Sequence, residues 1–229
     1  MVAGWAADFA DEFFDERGVD AVEHAINVLS DFRAAHGYPL TKATMGLRSM
    51  VSTEGCQILV SQRLKRLPRI IRKLHRMPGS NLARLEDIGG CRAVLSNLDE
   101  LNRVHRRLKR NWDGRGGRSK IVRERDYVAD PKDIGYRAVH VVVERDGRRI
   151  EVQLRTERQQ RWAEAVELLD ARLGMTVKDG VAGPEIIEFF AAAGDIQYVL
   201  DCAETPTDEM IVRLQAARET VVSRGYYAR

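Results

Sequence analysis

"YRAVHVVVERDGRRIEVQLRT" runs from Tyr136 to Thr156 and decides the fold. Asp146-Gly147 separates two runs rich in β-branched residues, the pattern of a two-residue hairpin turn. That turn sets Arg145 opposite Arg148, Glu144 opposite Arg149, Val142 opposite Glu151, His140 opposite Gln153 and Ala138 opposite Arg155. Side chains alternate between faces along a strand. One face therefore carries Val139, Val141, Val143, Ile150, Val152 and Leu154, which is a core face. The other carries Tyr136, Ala138, His140, Val142, Glu151, Gln153 and Arg155. Burying so many polar groups together is costly, so this second face is either solvated or functional.

Upstream, "GCQILVSQRLKR" predicts a strand over 56–63, and "DIGGCRAVL" (87–95) predicts another, entered through glycines. Apolar residues at helical spacing predict helices over 5–16, 18–35 and 41–52, with Gly18 and Gly37 as breaks. Pro68 opens a further helix, where a proline is tolerated. Others are expected over 98–112, 157–173, 184–201 and 207–223. "GRGG" (114–117) reads as a flexible loop; it lacks the GxxxxGK[ST] spacing of a phosphate-cradling loop. The expected fold class is α/β (α+β): a mixed sheet of about five strands flanked by helices, with N- and C-terminal helical extensions. One domain over 1–229 is expected, with an N-terminal extension 1–52, a catalytic core 53–173 and C-terminal helices 174–229.

The 229 residues are 44% hydrophobic, enough for a packed core. Net charge is only +3, yet Arg63, Lys65, Arg66, Arg69, Arg72, Lys73 and Arg76 crowd one stretch without an acid. Residues 103–120 are also basic, with Asp113 as their acid. Such density suits phosphates, in nucleotides or RNA. Cys56, Cys91 and Cys202 are too scattered for a disulfide framework or a zinc site. The acidic N-terminus does not read as a signal peptide, and no apolar run approaches the roughly 20 residues of a membrane span. A soluble, cytoplasmic protein is expected, with neither membrane nor DNA as a partner.

Three groups of residues carry possible chemistry. Asp87 and Glu151 are carboxylates on separate strands; together they suit Mg²⁺, and separately they read as ordinary strand-edge charges. Arg63, Lys65 and Lys73 converge from a strand–helix corner and suit a triphosphate, or form a solvated basic face. Lys132, Tyr136 and His140 offer an aromatic ring and two groups for phosphate or sugar; singly, each is an unremarkable strand residue.

Together these segments resemble the synthetase domain of the RelA/SpoT family over about residues 58–165. "RLKRLPRIIRKL" is similar to the family's R-x-K…K segment and "DIGGCRAVL" to its D-[LI]-x-G-x-R strand. "RDYVADPKDIGYRAVH" resembles its KDY…PK-x-x-GY-x-x-x-H stretch, and "EVQLRT" its E-V-Q-[IL]-R-T segment. The resemblance implies a nucleotidyltransferase-like fold and transfer of pyrophosphate from ATP to a 3′-hydroxyl. It implies that Arg63 and Arg92 sandwich the adenine, that Lys65 and Lys73 hold ATP phosphates, and that Asp87 and Glu151 bind Mg²⁺, with Glu151 also the base. It places Tyr136 on the acceptor base and Arg125, Lys132, His140, Gln153 and Arg155 around the acceptor.

Some positions depart from the pattern: Arg69 stands in place of serine, Ile134 in place of asparagine, Gln159-Gln160 in place of Met-His, and Arg125 in place of lysine. "FRAAHGYPL", "SQRLKRLPRII" and "LEDIGGCRAVL" resemble the toxic branch of the small alarmone synthetases, found in several phages and prophages as defence modules. That likeness implies transfer to the 3′-CCA end of tRNA, a block to translation, and a neutralising antitoxin as partner. The alternative is (p)ppGpp synthesis with GDP or GTP as acceptor. A third reading is a catalytically silent RNA-binding module.

Overall fold

The structure is a computed structural model that describes residues 16–226 apart from 78, 80, 118, 175, 176 and 178–181. Most of the helix expected over 5–16 lies outside the described residues. The chain opens with α1 (Glu16–Ala34) and α2 (Gly37–Thr53), followed by β1 (Leu59–Leu64) and α3 (Leu67–Arg76). Next come β2 (Gly89–Leu95), α4 (Leu98–Asn111), β3 (Lys120–Asp126), β4 (Val139–Arg145) and β5 (Arg148–Thr156). Three helices close it: α5 (Glu157–Leu173), α6 (Pro184–Asp201) and α7 (Asp208–Ser223).

The five strands form one mixed sheet in the order β1-β2-β5-β4-β3. Its central pair, β2 with β5, is parallel; β1–β2, β4–β5 and β3–β4 are antiparallel. The β4–β5 register is the one the hairpin turn requires, from Arg145 opposite Arg148 down to Val139 opposite Leu154. Asp146 and Gly147 both take positive φ, +49° and +70°, as the tight turn of a right-twisted hairpin demands. Lys42 of α2 pairs with Asp146 at 3.1 Å and ties the hairpin tip down.

Val139, Val141, Val143, Ile150, Val152 and Leu154 all lie in the main core, beneath α2 and α4. A second cluster joins Ile134, Tyr136, Trp162, Val166, Ile186 and Phe190, and docks α5 and α6 against the loop before β4. A third, with Ile70, Leu85 and Ile88 at its centre, seats α3 and the loop before β2, with Leu29 and Phe32 of α1 against it.

Three expectations differ from the structure, the first being Gly18, which does not break the chain but lies inside α1 (Glu16–Ala34). Gly37 does not end a helix; it begins α2, and Pro39 sits in the first turn, where no intrahelical N–H is required. The first strand begins at Leu59 rather than residue 56. The segment "KIVRERD" (120–126), to which the sequence pattern assigns no element, supplies the fifth strand, β3, an edge strand paired with β4 through a register shift between Ile121 and Arg123. Among the described residues, no helix is long and apolar enough to cross a membrane.

Candidate active site

The polar face of the sheet floors a cleft of about 510 Å³. Strand register lays its residues out in two rows. Arg63, Gly90 and Glu151 are cross-strand neighbours in one row, and Ser61, Arg92, Gln153 and His140 in the next. The two glycines of β2 serve opposite faces. A methyl at Gly89 would meet Ile150 Cδ1 at 2.9 Å, so that position is closed by the core. At Gly90 the nearest atom would be Glu151 O at 3.6 Å, so the missing side chain leaves the cleft floor bare between Arg63 and Glu151.

Glu151 is held on both oxygens: His140 Nδ1 lies 3.0 Å from Oε1, and Gln153 Nε2 donates to Oε2 at 2.8 Å. Burial raises its pKa, but the bond to His140, the His140 charge and the Gln153 bond outweigh it and bring it below the usual carboxylate range. Asp87 is placed by its neighbours Leu85 and Ile88, both buried, which pin the loop before β2. Lys65 Nζ donates to one Asp87 oxygen and Lys73 Nζ to the other, the second at 2.9 Å. Here too burial pushes upward and the two ammonium groups more than reverse it, so Asp87 is also held low. Both carboxylates are ionised at neutral pH.

A hydrogen-bond chain extends from Glu151. His140 Nε2 meets the Tyr136 hydroxyl at 2.6 Å, and Arg155 Nη2 donates to that hydroxyl at 2.8 Å. Burial raises the Tyr136 pKa, so the hydroxyl keeps its proton. His140 thus bridges the two, with Nδ1 facing Glu151 and Nε2 facing the Tyr136 hydroxyl. Arg155 also donates to Gln160 at 3.1 Å. Lys132 Nζ lies 5.5 Å from the Tyr136 ring centre, within cation–π reach. The Nε atoms of Arg92 and Arg155 are buried without a protein partner, leaving donors for an anionic ligand.

Of the residues singled out from sequence, Arg63, Asp87, Arg92, Lys132, Tyr136, His140, Glu151, Gln153 and Arg155 line this one cleft. Lys65 and Lys73 reach it through Asp87. Arg125 does not line it; its guanidinium turns to Glu86 at 3.5 Å. Ser61, Gln62, Cys91, Ile134 and Glu167 also line the cleft. Of these, Ser61 shares the period-two face of Arg63, the signal that would have found it. Burial pushes the Cys91 thiol up to about 12, which excludes it as a nucleophile.

No group of three or more His, Cys, Asp or Glu side chains clusters for a metal among the described residues. Two carboxylates alone still fit Mg²⁺, which keeps several waters and takes substrate phosphate oxygens as its other ligands.

Residues 62–168 match the model described as the region found in RelA/SpoT proteins. An uncharacterised protein of Mycobacterium tuberculosis is 31% identical over 128 residues, covering 56% of this chain and 45% of that one. A guanosine-3′,5′-bis(diphosphate) 3′-pyrophosphohydrolase of Borreliella burgdorferi is 27% identical over 139 residues, 60% of this chain and 20% of that one. The chain thus spans less than half the length of either curated relative. The fold is shared with small alarmone synthetase 2 of Bacillus subtilis, with TM-score 0.62 and 21% identity over 75% of this chain and 93% of that one. A GTP pyrophosphokinase family protein of Streptococcus pneumoniae superposes with TM-score 0.61 and 24% identity over 84% and 97%.

Proposed function

We propose that this protein is an ATP-dependent pyrophosphokinase. The observation that carries the reading is the pair Asp87 and Glu151, both ionised, facing one cleft that Arg63, Arg92, Lys132 and Arg155 also line. Phosphoryl-type transfer requires charge neutralisation, in-line placement and an activated hydroxyl, and the cleft supplies each. Arg63 and Arg92 flank the adenine of ATP. Lys65 and Lys73 leave Asp87 for the phosphates; Asp87 and Glu151 would hold Mg²⁺, which would supply charge neutralisation for the transferred group. Glu151, oriented by His140 and Gln153, accepts the proton of the acceptor 3′-hydroxyl. The acceptor oxygen bonds to the β-phosphorus of ATP and AMP departs.

The acceptor we infer is the 3′-terminal adenosine of tRNA, which makes the protein a growth-inhibiting toxin that blocks translation and is restrained by an antitoxin. Ile134 supports this: it is buried in the acceptor wall, where the resemblance leads one to expect an asparagine amide for guanine. The exposed face of α3, with Arg66 at its cap and Arg69 and Arg72 within it, supplies cations for an RNA backbone. A guanine-nucleotide acceptor, yielding (p)ppGpp, is the second reading; it is favoured by Tyr136, His140 and Gln153 standing together on the same wall.

Purified protein, Mg²⁺ and γ-labelled ATP, offered deacylated tRNA in one tube and GDP or GTP in another, separate them. Label on tRNA is expected. Label on guanine nucleotide alone would replace the first reading with the second, and label on neither would remove the pyrophosphokinase reading.

A further inference from the structure

A second charged cluster lies on the same sheet face, outside the residues that line the cleft. Arg123 and Arg125 come from β3 and Arg149 from β5, and all three converge on Glu86. Arg123 Nη1 donates to Glu86 Oε2 at 3.2 Å, Arg125 Nη2 approaches the same oxygen at 3.5 Å, and Arg149 Nη1 lies 3.6 Å from Oε1. The carboxylate is sunk, with its side chain 15% exposed, while the three arginine side chains above it are 52%, 38% and 43% exposed. Glu144, opposite Arg149 across the hairpin, is a further acid on this face, beside Glu151. Arg123 and Arg125 lie two residues apart on one face of β3, where like charges repel, and a guanidinium carries five N–H donors in a fixed fork. One carboxylate cannot satisfy three such forks. The cluster is an excess of oriented donors facing solvent, the geometry that grips a phosphate bidentately.

Its location says which phosphate. Arg123 shares a cross-strand row with Val142 and Glu151, and Arg125 pairs directly with His140. The cluster runs from Arg149, two residues before Glu151 on β5, to Arg123 and Arg125 on β3, two strands away at about 4.8 Å per strand. Lys65 and Lys73 lie toward the β1 edge, on the opposite side of Glu151. Cations for donor and acceptor phosphates thus flank the base. The loop before β2 bridges them with adjacent carboxylates: Asp87 in the lysine pair and Glu86 in the arginine cluster.

We propose that Arg123, Arg125 and Arg149 form a second anion subsite, which takes the phosphate on the 5′ side of the acceptor nucleotide, and that Glu86 fills it while the acceptor is absent. The inference rests on the pyrophosphokinase reading for the identity of the acceptor. The resemblance placed Arg125 with the acceptor; Arg123, Arg149 and the Glu86 placeholder come from the geometry. A mononucleotide acceptor would offer its terminal 5′-phosphate, and an RNA acceptor the phosphodiester before its last nucleoside.

The test measures binding, so that it stands apart from turnover. Full-length protein is titrated with a fluorescent oligoribonucleotide ending in CCA, with GDP, and with a non-hydrolysable ATP analogue, each over a range of salt. The double variant Arg123→Gln/Arg149→Gln is expected to weaken one acceptor about tenfold and to lower its log–log salt slope by about 1. Glu86→Gln is expected to strengthen the same acceptor about threefold. Affinity for the ATP analogue should not change. A loss confined to the oligonucleotide identifies a phosphodiester ligand, a loss confined to GDP a terminal phosphate, and either supports the subsite. Unchanged binding of both, with the ATP analogue still bound, overturns it; weaker acceptor binding in Glu86→Gln overturns the placeholder. If the double variant also loses the ATP analogue, Arg149→Lys takes its place, since it keeps the charge and removes the fork. Binding changes as expected, alongside a wild type that transfers no label, would preserve the subsite and remove the pyrophosphokinase reading.

Discussion

The β4–β5 hairpin has two faces that share every backbone hydrogen bond and almost nothing else. On one, Val141, Val143, Ile150, Val152 and Leu154 are fully buried in the main apolar core. On the other, His140, Glu151 and Gln153 are half-buried, and each is hydrogen-bonded to another polar side chain. Alternation along a strand assigns packing to one set of residues and chemistry to the next. Substitutions one position apart should therefore fail in different ways.

The largest contrast is expected from Glu151→Gln. The change is isosteric, and loss of a general base lowers rates by about 10²–10⁴-fold. Transfer to the acceptor should fall by that amount with a melting temperature within a few degrees of wild type; a parallel collapse of stability would make the polar face structural. On the opposite face, Leu154→Ala should cost about 2–5 kcal/mol in a denaturant titration, while the folded fraction keeps its ATP affinity. A loss of ATP binding in step with stability would show that the two faces are not separable.

A third substitution probes how the acceptor wall is supported. Gly135 (φ +81°) and Gly194 of α6 are in backbone contact, and a methyl on Gly194 would lie 2.6 Å from the Gly135 carbonyl oxygen. Gly194→Ala should cost about 1–3 kcal/mol by overpacking. Because Lys132, Ile134 and Tyr136 share that loop, it should also raise KM for the acceptor and leave KM for ATP unchanged.

The smallest effect is expected with acid. Asp87 and Glu151 are held below the usual carboxylate range, so their contribution to stability is complete above the unfolded carboxylate values and lost as pH falls through the depressed folded ones. Melting temperature should be flat from neutrality to about pH 5 and decline below about pH 4. A decline beginning near pH 6 would contradict the assignment.

Much of this contrast was readable from residues alone. The Asp146-Gly147 turn and the valine alternation specified the register pair by pair. Glu157–Leu173 and Pro184–Asp201 matched their expected spans because apolar spacing and a proline start mark them locally. What stayed hidden depended on distant partners. β3 is short and mostly charged, and it becomes a strand because β4 offers it an edge. Nothing in the spacing of Lys65, Lys73 and Asp87 shows that two lysines close on one carboxylate. Arg125 was expected at the acceptor and instead rests on Glu86, an acid that sequence gave no reason to single out. Ile134 and Tyr136 are buried because α5 and α6 close over the loop that carries them, a contact that neither residue announces.

The parallel pairing of β2 with β5 gives the chain a timetable. Asp87 leaves the ribosome long before Glu151, and the two share a sheet only once β5 has slotted between β2 and β4. A nascent chain that stops short of residue 151 holds Arg63, Lys65, Lys73 and Arg92 but lacks the proposed base. The step that completes the cleft is also the pairing with a long loop to close, and such steps come late and slowly in folding. On the proposed mechanism, transfer begins only after the sheet has been completed at its centre, and a truncated product of the same message has no means of starting it.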